Sequence, residues 1–295
     1  MAAQESSKQA GIEPARRRFV AGSALAGMAL RVPAQAADGA VIEENVVVPT
    51  PDGRCDAAFF HPATGRHPGV LIWTDAFGLR PAFREMGRRL AAQGYAVLVP
   101  NPYYRVGKAP LFDDVAHFDF SKDENRARLQ PLMGGLTAAG VAERDAGGYL
   151  DFLKAQAAVD PARKFGAQGY CMGGALVLRT AAAFAERMGA GASFHGGGLV
   201  TDKPESPHRL APRIQAQLYI AIAANDDARQ PSAKDQLREA FAAAKVKAQV
   251  EVYAGTQHGW CVADMPNGEG KPIYDAAQAE RAWGQLLALY HSALG

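Results

Sequence analysis

Short apolar runs alternating with helix-like stretches constrain this chain more than any other feature. Residues 69–74, 95–99, 164–169, 190–194, 215–223 and 247–253 are rich in apolar and β-branched side chains. Such continuous runs suit strands buried on both faces. Between them lie segments with helical character: 81–93, opened by Pro81 and closed by Gly94, then 137–157 despite Gly147 and Gly148, 172–187, 232–245 and a closing 276–294. Residues 41–48 and 55–60 read as two further strands joined by the turn Pro51-Asp52-Gly53. Strands that alternate with helices predict an α/β fold, a doubly wound, mostly parallel sheet flanked by helices in one domain. Ligands of such sheets bind beyond the carboxyl ends of the strands, so chemistry is to be sought just after each run.

Two segments fall outside that alternation. Residues 101–136 hold no period, and a connection so long reads as a lid or binding loop. At the start, Arg16-Arg17-Arg18-Phe19-Val20 precedes a weakly apolar run over 21–30, then Arg31 and Pro33-Ala34-Gln35-Ala36. A charged segment, a short apolar segment and a small-residue cleavage site in that order describe an export signal. The paired arginines and the Gly/Ala-rich run resemble the twin-arginine type. Residues 1–36 are therefore expected to be a signal peptide and 37–295 the mature catalytic domain, acting in the periplasm. The apolar run is too short to span a bilayer, so no membrane attachment is expected after cleavage. The net charge of +2, with no basic stripe, gives no reason to expect nucleic acid. The three cysteines show neither C-x-x-C nor zinc spacing, so no metal is expected, and Cys55 and Cys261 read as free, buried thiols.

Gly169-Tyr170-Cys171-Met172-Gly173-Gly174 sits where the run 164–169 meets the next helix. A nucleophile flanked by glycines at a strand-to-helix turn is a nucleophile elbow. A helix N-terminus there favours thiolate. After the run 215–223 comes Ala224-Asn225-Asp226-Asp227, and after 247–253 comes Ala254-Gly255-Thr256-Gln257-His258-Gly259-Trp260. Nucleophile, acid and histidine thus follow in the order that this elbow geometry uses. His258 would take and return the proton, and Asp226, nearer the strand end than its competitor Asp227, would fix its tautomer. The N–H groups of Met172 and Ala76 are the candidate oxyanion donors. His195-Gly196-Gly197-Gly198 looks like an oxyanion motif but follows the nucleophile, so it reads as a strand-end turn, with His195 either lining the pocket or structural.

These residues resemble the dienelactone hydrolase family, with the elbow, the Asp226 loop and Gln257-His258-Gly259 as the most specific pieces and a match running from about 69 to 294. The resemblance implies an α/β-hydrolase fold, hydrolysis of a small-molecule ester or lactone through a thioester, and no cofactor. It also implies that Asp75 stands where the family often places a Glu that contacts the resting cysteine. Arg105 falls where members that hydrolyse dienelactone hold the substrate carboxylate. A second carboxylate-binding arginine is missing, since Val262 stands there beside Trp260 and Cys261.

A cysteine nucleophile narrows the substrates further. Its tetrahedral adduct expels thiolate more readily than alkoxide, so activated esters and enol lactones are expected to turn over and simple alkyl esters to return to substrate. A non-hydrolytic binding or sensor protein on the same fold, and acyl transfer from the same thioester, are the competing readings.

Overall fold

A computed structural model describes residues 40–112, 114–267 and 272–295. The expected signal peptide, residues 1–36, lies outside them. β1 (Val41–Thr50) and β2 (Gly53–Pro62) form an antiparallel hairpin in register from Val41–Pro62 to Thr50–Gly53. The parallel strands are β3 (Gly69–Trp73), β4 (Ala96–Pro100), β5 (Phe165–Tyr170), β6 (Met188–Phe194), β7 (Gln217–Ala223) and β8 (Ala248–Tyr253). All eight make one sheet in the order β1-β2-β4-β3-β5-β6-β7-β8, with β2 antiparallel to β4. Every residue of β3, β4 and β5 is buried, as expected of central strands covered on both faces, although β5 carries Gln168 inside it.

The helices supply those covers. α1 (Pro81–Ala91) and α7 (Ala276–Leu294) pack on one face through Phe83, Leu90, Leu286 and Tyr290. α3 (Val141–Ala155), α4 (Met172–Ala183) and α6 (Ala233–Ala243) pack on the other through Tyr149, Leu150, Leu176, Val177, Leu237 and Phe241. A short helix α5 (Ala224–Arg229) follows β7 directly. The close crossing of β5 and α4 requires glycine. A Cβ on Gly169 would lie 2.1 Å from the Gly173 carbonyl oxygen, and one on Gly173 would lie 2.5 Å from that of Trp73.

The segment 101–136 differs from its expected irregularity, because α2 (Asp123–Thr137) lies within it. Its period is illegible for a physical reason. The helix buries only Leu129 and Leu136, and it carries Pro131 inside. The expected helix over 137–157 correspondingly begins later, at Val141, after Gly140 in the left-handed region. Phe112, Val115, Phe118 and Leu129 close over Ala76 and Phe77 as a separate small core. This segment is a cap seated on the turn that follows β3.

Candidate active site

Cys171 occupies the turn between β5 and α4 with φ 53° and ψ −116°, a backbone conformation that L-residues adopt only when the surroundings enforce it. The end of β6 supplies that enforcement. The Cys171 N–H is shared between the Phe194 carbonyl and His195 Nδ1, each at 3.1 Å. The Cys171 carbonyl accepts from the Gly174 and Gly197 N–H groups, again at 3.1 Å each. The thiol is half-buried at the head of α4.

His258 lies in the loop after β8, and α5 brings two consecutive side chains to it. Its Nδ1 meets Asp226 Oδ2 at 2.7 Å, and its backbone N–H donates to Asn225 Oδ1 at 2.8 Å. Asp227 turns away to Lys234 Nζ, 2.8 Å distant. The Thr256 hydroxyl donates to the Tyr253 carbonyl at 2.7 Å and braces the loop's start. Burial, the largest single influence on His258, opposes a charged imidazole. The negative charge available at Cys171, the ring's hydrogen bonds to Asp226 and Cys171, and the Asp226 charge together outweigh it and push His258 up to about 10. His195 behaves oppositely. Burial, then the nearby charge of His258, hold it well below the ordinary histidine value.

Met172 is the first residue of α4, and Ala76 sits in the turn after β3. Among the described residues, neither N–H has an acceptor. Tyr103 reaches from the cap side and donates its hydroxyl to the Ala76 carbonyl at 2.8 Å, fixing that peptide.

Two residues expected to serve the substrate or the thiol are tied elsewhere. Asp75 is held by Arg80 through Oδ1 at 2.7 Å and Oδ2 at 2.9 Å, and Oδ1 also accepts the Phe77 N–H at 2.9 Å. Its carboxylate thus answers a guanidinium rather than Cys171. Arg80 is 2% exposed, binds Asp264 with two further bonds of 2.8 Å, and lies against the rings of Phe77 and Phe83. Arg105 forks onto the fully buried Asp145 at 2.7 and 2.9 Å and reaches Asp52 at 2.7 Å. It also stacks on Tyr104. A guanidinium so committed ties the segment after β4 to α3 and to the β1–β2 turn.

Trp260 is fully buried, stacked on Tyr253 at 5.0 Å and set edge-on to His195 at 5.2 Å between ring centroids. It therefore backs the histidines. The three cysteines are free thiols, Cys55 fully buried and Cys261 half-buried. Burial pushes the Cys55 thiol up to about 12 and the Cys261 thiol well above its ordinary value, which disfavours thiolate at both.

Sequence reading missed Arg80, whose partner Asp264 is 184 positions away and carries no local signal. It missed Asn225 too, although adjacency to Asp226 was a usable clue. A thiol, an imidazole and a carboxylate gathered at a strained turn, with free N–H groups beside them, suit nucleophilic acyl transfer.

The sheet order, the elbow and the loops at the carboxyl ends of β7 and β8 define an α/β-hydrolase fold. The chain belongs to the dienelactone hydrolase family, whose model matches residues 55–294. That family is hydrolytic, and its members act on small molecules. Among similar solved structures, m3DLH is 28% identical, covers 87% of this chain and 100% of its own, and superposes with a TM-score of 0.71. A dienelactone hydrolase-like promiscuous phosphotriesterase from metagenomic libraries is 29% identical, with the same coverages and a TM-score of 0.70. A carboxymethylenebutenolidase of Rhodococcus opacus is 26% identical over 67% of this chain and 71% of its own.

Proposed function

We propose that this chain hydrolyses activated esters and enol lactones through attack by Cys171, with His258 as acid and base and Asp226 as its partner. The observation that supports this most is the 2.7 Å contact between His258 Nδ1 and Asp226 Oδ2, placed beside the elbow by two adjacent strands. The thiolate attacks the carbonyl carbon, forming the C–S bond, and the carbonyl electrons move onto oxygen, where Ala76 and Met172 donate their N–H groups. The C–O bond then breaks and the leaving enol or phenol takes the proton from His258. Water, giving a proton back to His258, attacks the thioester. The acid departs and the thiolate returns.

The tetrahedral adduct decides which esters succeed. Thiolate leaves more easily than alkoxide, so an alkyl ester reverts to substrate, whereas a phenol or enol departs forward. With Arg105 braced on Asp145 and Val262 apolar and buried, neutral substrates are favoured over a carboxylate-bearing lactone. The test compares phenyl acetate, ethyl acetate and a dienelactone on wild type and Cys171→Ala. Phenyl acetate is expected to lead, and Cys171→Ala to fall by at least about 10³-fold in kcat/KM. Equal rates on ethyl and phenyl acetate refute the leaving-group argument, and turnover surviving in Cys171→Ala refutes the nucleophile.

Residues 1–36 act in this reading as a twin-arginine signal, placing the mature enzyme in the periplasm. N-terminal sequencing of periplasmic protein is expected to begin at Ala37. A chain retaining Met1 in the cytoplasm refutes the export.

A further inference from the structure

His195 touches the nucleophile through its own side chain, and nothing in the hydrolytic steps above uses it. It is 1% exposed and sits in the left-handed region at φ 41°, immediately after β6. Its Nδ1 accepts the Cys171 N–H at 3.1 Å, and its own N–H donates to the Ala221 carbonyl at 2.8 Å. Two residues on, Gly197 donates to the Cys171 carbonyl. The strand end therefore grips the nucleophile's peptide on both its donor and its acceptor side.

We infer that His195 is a positioning residue, whose Nδ1 helps hold Cys171 in the strained conformation from which its thiol attacks. The inference rests on the catalytic reading for its consequence, not for its geometry. An Nδ1 that accepts leaves the proton on Nε2, so the ring is the neutral Nε2–H tautomer. Protonation of Nδ1 would set a donor against the Cys171 N–H and break the grip. Nε2 itself is buried without a partner among the described residues. A core site chosen for packing alone would shed that unsatisfied N–H by using an apolar ring. Its retention points to Nδ1 as the reason for histidine. The ring also stands edge-on to His258 at 4.9 Å between centroids, limiting the swing of that imidazole away from the thiol.

Two substitutions separate the acceptor from the backbone turn. Asparagine tolerates the left-handed region and places Oδ1 where Nδ1 was, whereas glycine tolerates the turn and offers no acceptor. The readout is the rate of iodoacetamide alkylation at Cys171, followed by peptide mass spectrometry, together with kcat and KM on phenyl acetate. His195→Gly is expected to alkylate about tenfold more slowly and to lose about 10²-fold in kcat with KM within about threefold, the scale of a misplaced reacting group. His195→Asn is expected to stay within about threefold of wild type in both. Glycine as reactive as wild type, or asparagine as slow as glycine, overturns the inference. Should both variants fail to fold, ¹⁵N NMR of the wild-type imidazoles decides. An unprotonated Nδ1 at His195 upholds the inference and a protonated one ends it. Alkylation needs no substrate, so a clamp that fails is distinguishable from a hydrolase reading that fails.

Discussion

The nucleophile turn and the cap meet at Tyr103, which reaches both the Ala76 carbonyl and the Met172 sulfur, but they are held by different forces. At the turn, backbone hydrogen bonds from β6, and side-chain bonds from α5 to His258, fix each reacting group from at least two directions. From Phe112 to Phe120 the cap is held instead by aromatic rings. Phe77 meets Phe112, Phe118 and Phe120 at centroid distances of 5.6, 4.9 and 5.7 Å. Hydrogen bonds specify angles, whereas aromatic contacts specify mainly distance. On the proposed mechanism, the reacting groups would stand on the side fixed in angle, and the side fixed mainly in distance would meet the substrate.

Breaking the rigid side gives the largest expected effect. Asp226→Asn is expected to lower kcat/KM by about 10³-fold, since the imidazole loses its orienting carboxylate. The same variant tests the sign of the His258 shift. A histidine held up to about 10 keeps its proton, and the stability which that proton brings, below the ordinary histidine range. Both are lost as pH rises through about 10. Wild-type activity should therefore fall on the alkaline side near that value, and Asp226→Asn should move the fall to lower pH in a pH–rate profile. An unmoved alkaline limb would mean that Asp226 does not set the proton's affinity.

On the cap, Phe118→Ala removes three ring contacts, to Phe77, Phe112 and Phe120. Loss of so buried a ring should cost about 3 kcal/mol, measured by denaturant unfolding. KM for phenyl acetate should rise about tenfold with kcat nearly unchanged, because the cap binds but does not react. A fall in kcat matching that of Asp226→Asn would erase the distinction between the two regions. Phe120 is 45% exposed, and Phe120→Ala should cost no more than about 1 kcal/mol and alter KM slightly.

The same contrast explains what the sequence disclosed. β3 and β4 are legible because burial on both faces writes itself as unbroken apolar runs, and the elbow because Gly169 and Gly173 have no substitute at a 2.1 Å approach. α2 was illegible because a helix lying on a small local core needs few apolar residues. The partners of Arg105, Asp145 and Asp52, are far off in sequence, so only the folded chain shows its guanidinium bound to them. His195 was left between two readings because the direction of one ring nitrogen has no sequence signature.

Arg80 joins the turn after β3 to the loop after β8 through one guanidinium and two carboxylates. Loss of the arginine strands Asp75 as an uncompensated buried charge, and loss of Asp75 strands the arginine. Asp264 is partly exposed and more forgiving, but the inner two can change only together. Asp75 and Arg80 are therefore exchangeable only as a pair. One guanidinium thereby sets the spacing between the Ala76 turn and the loop that carries His258.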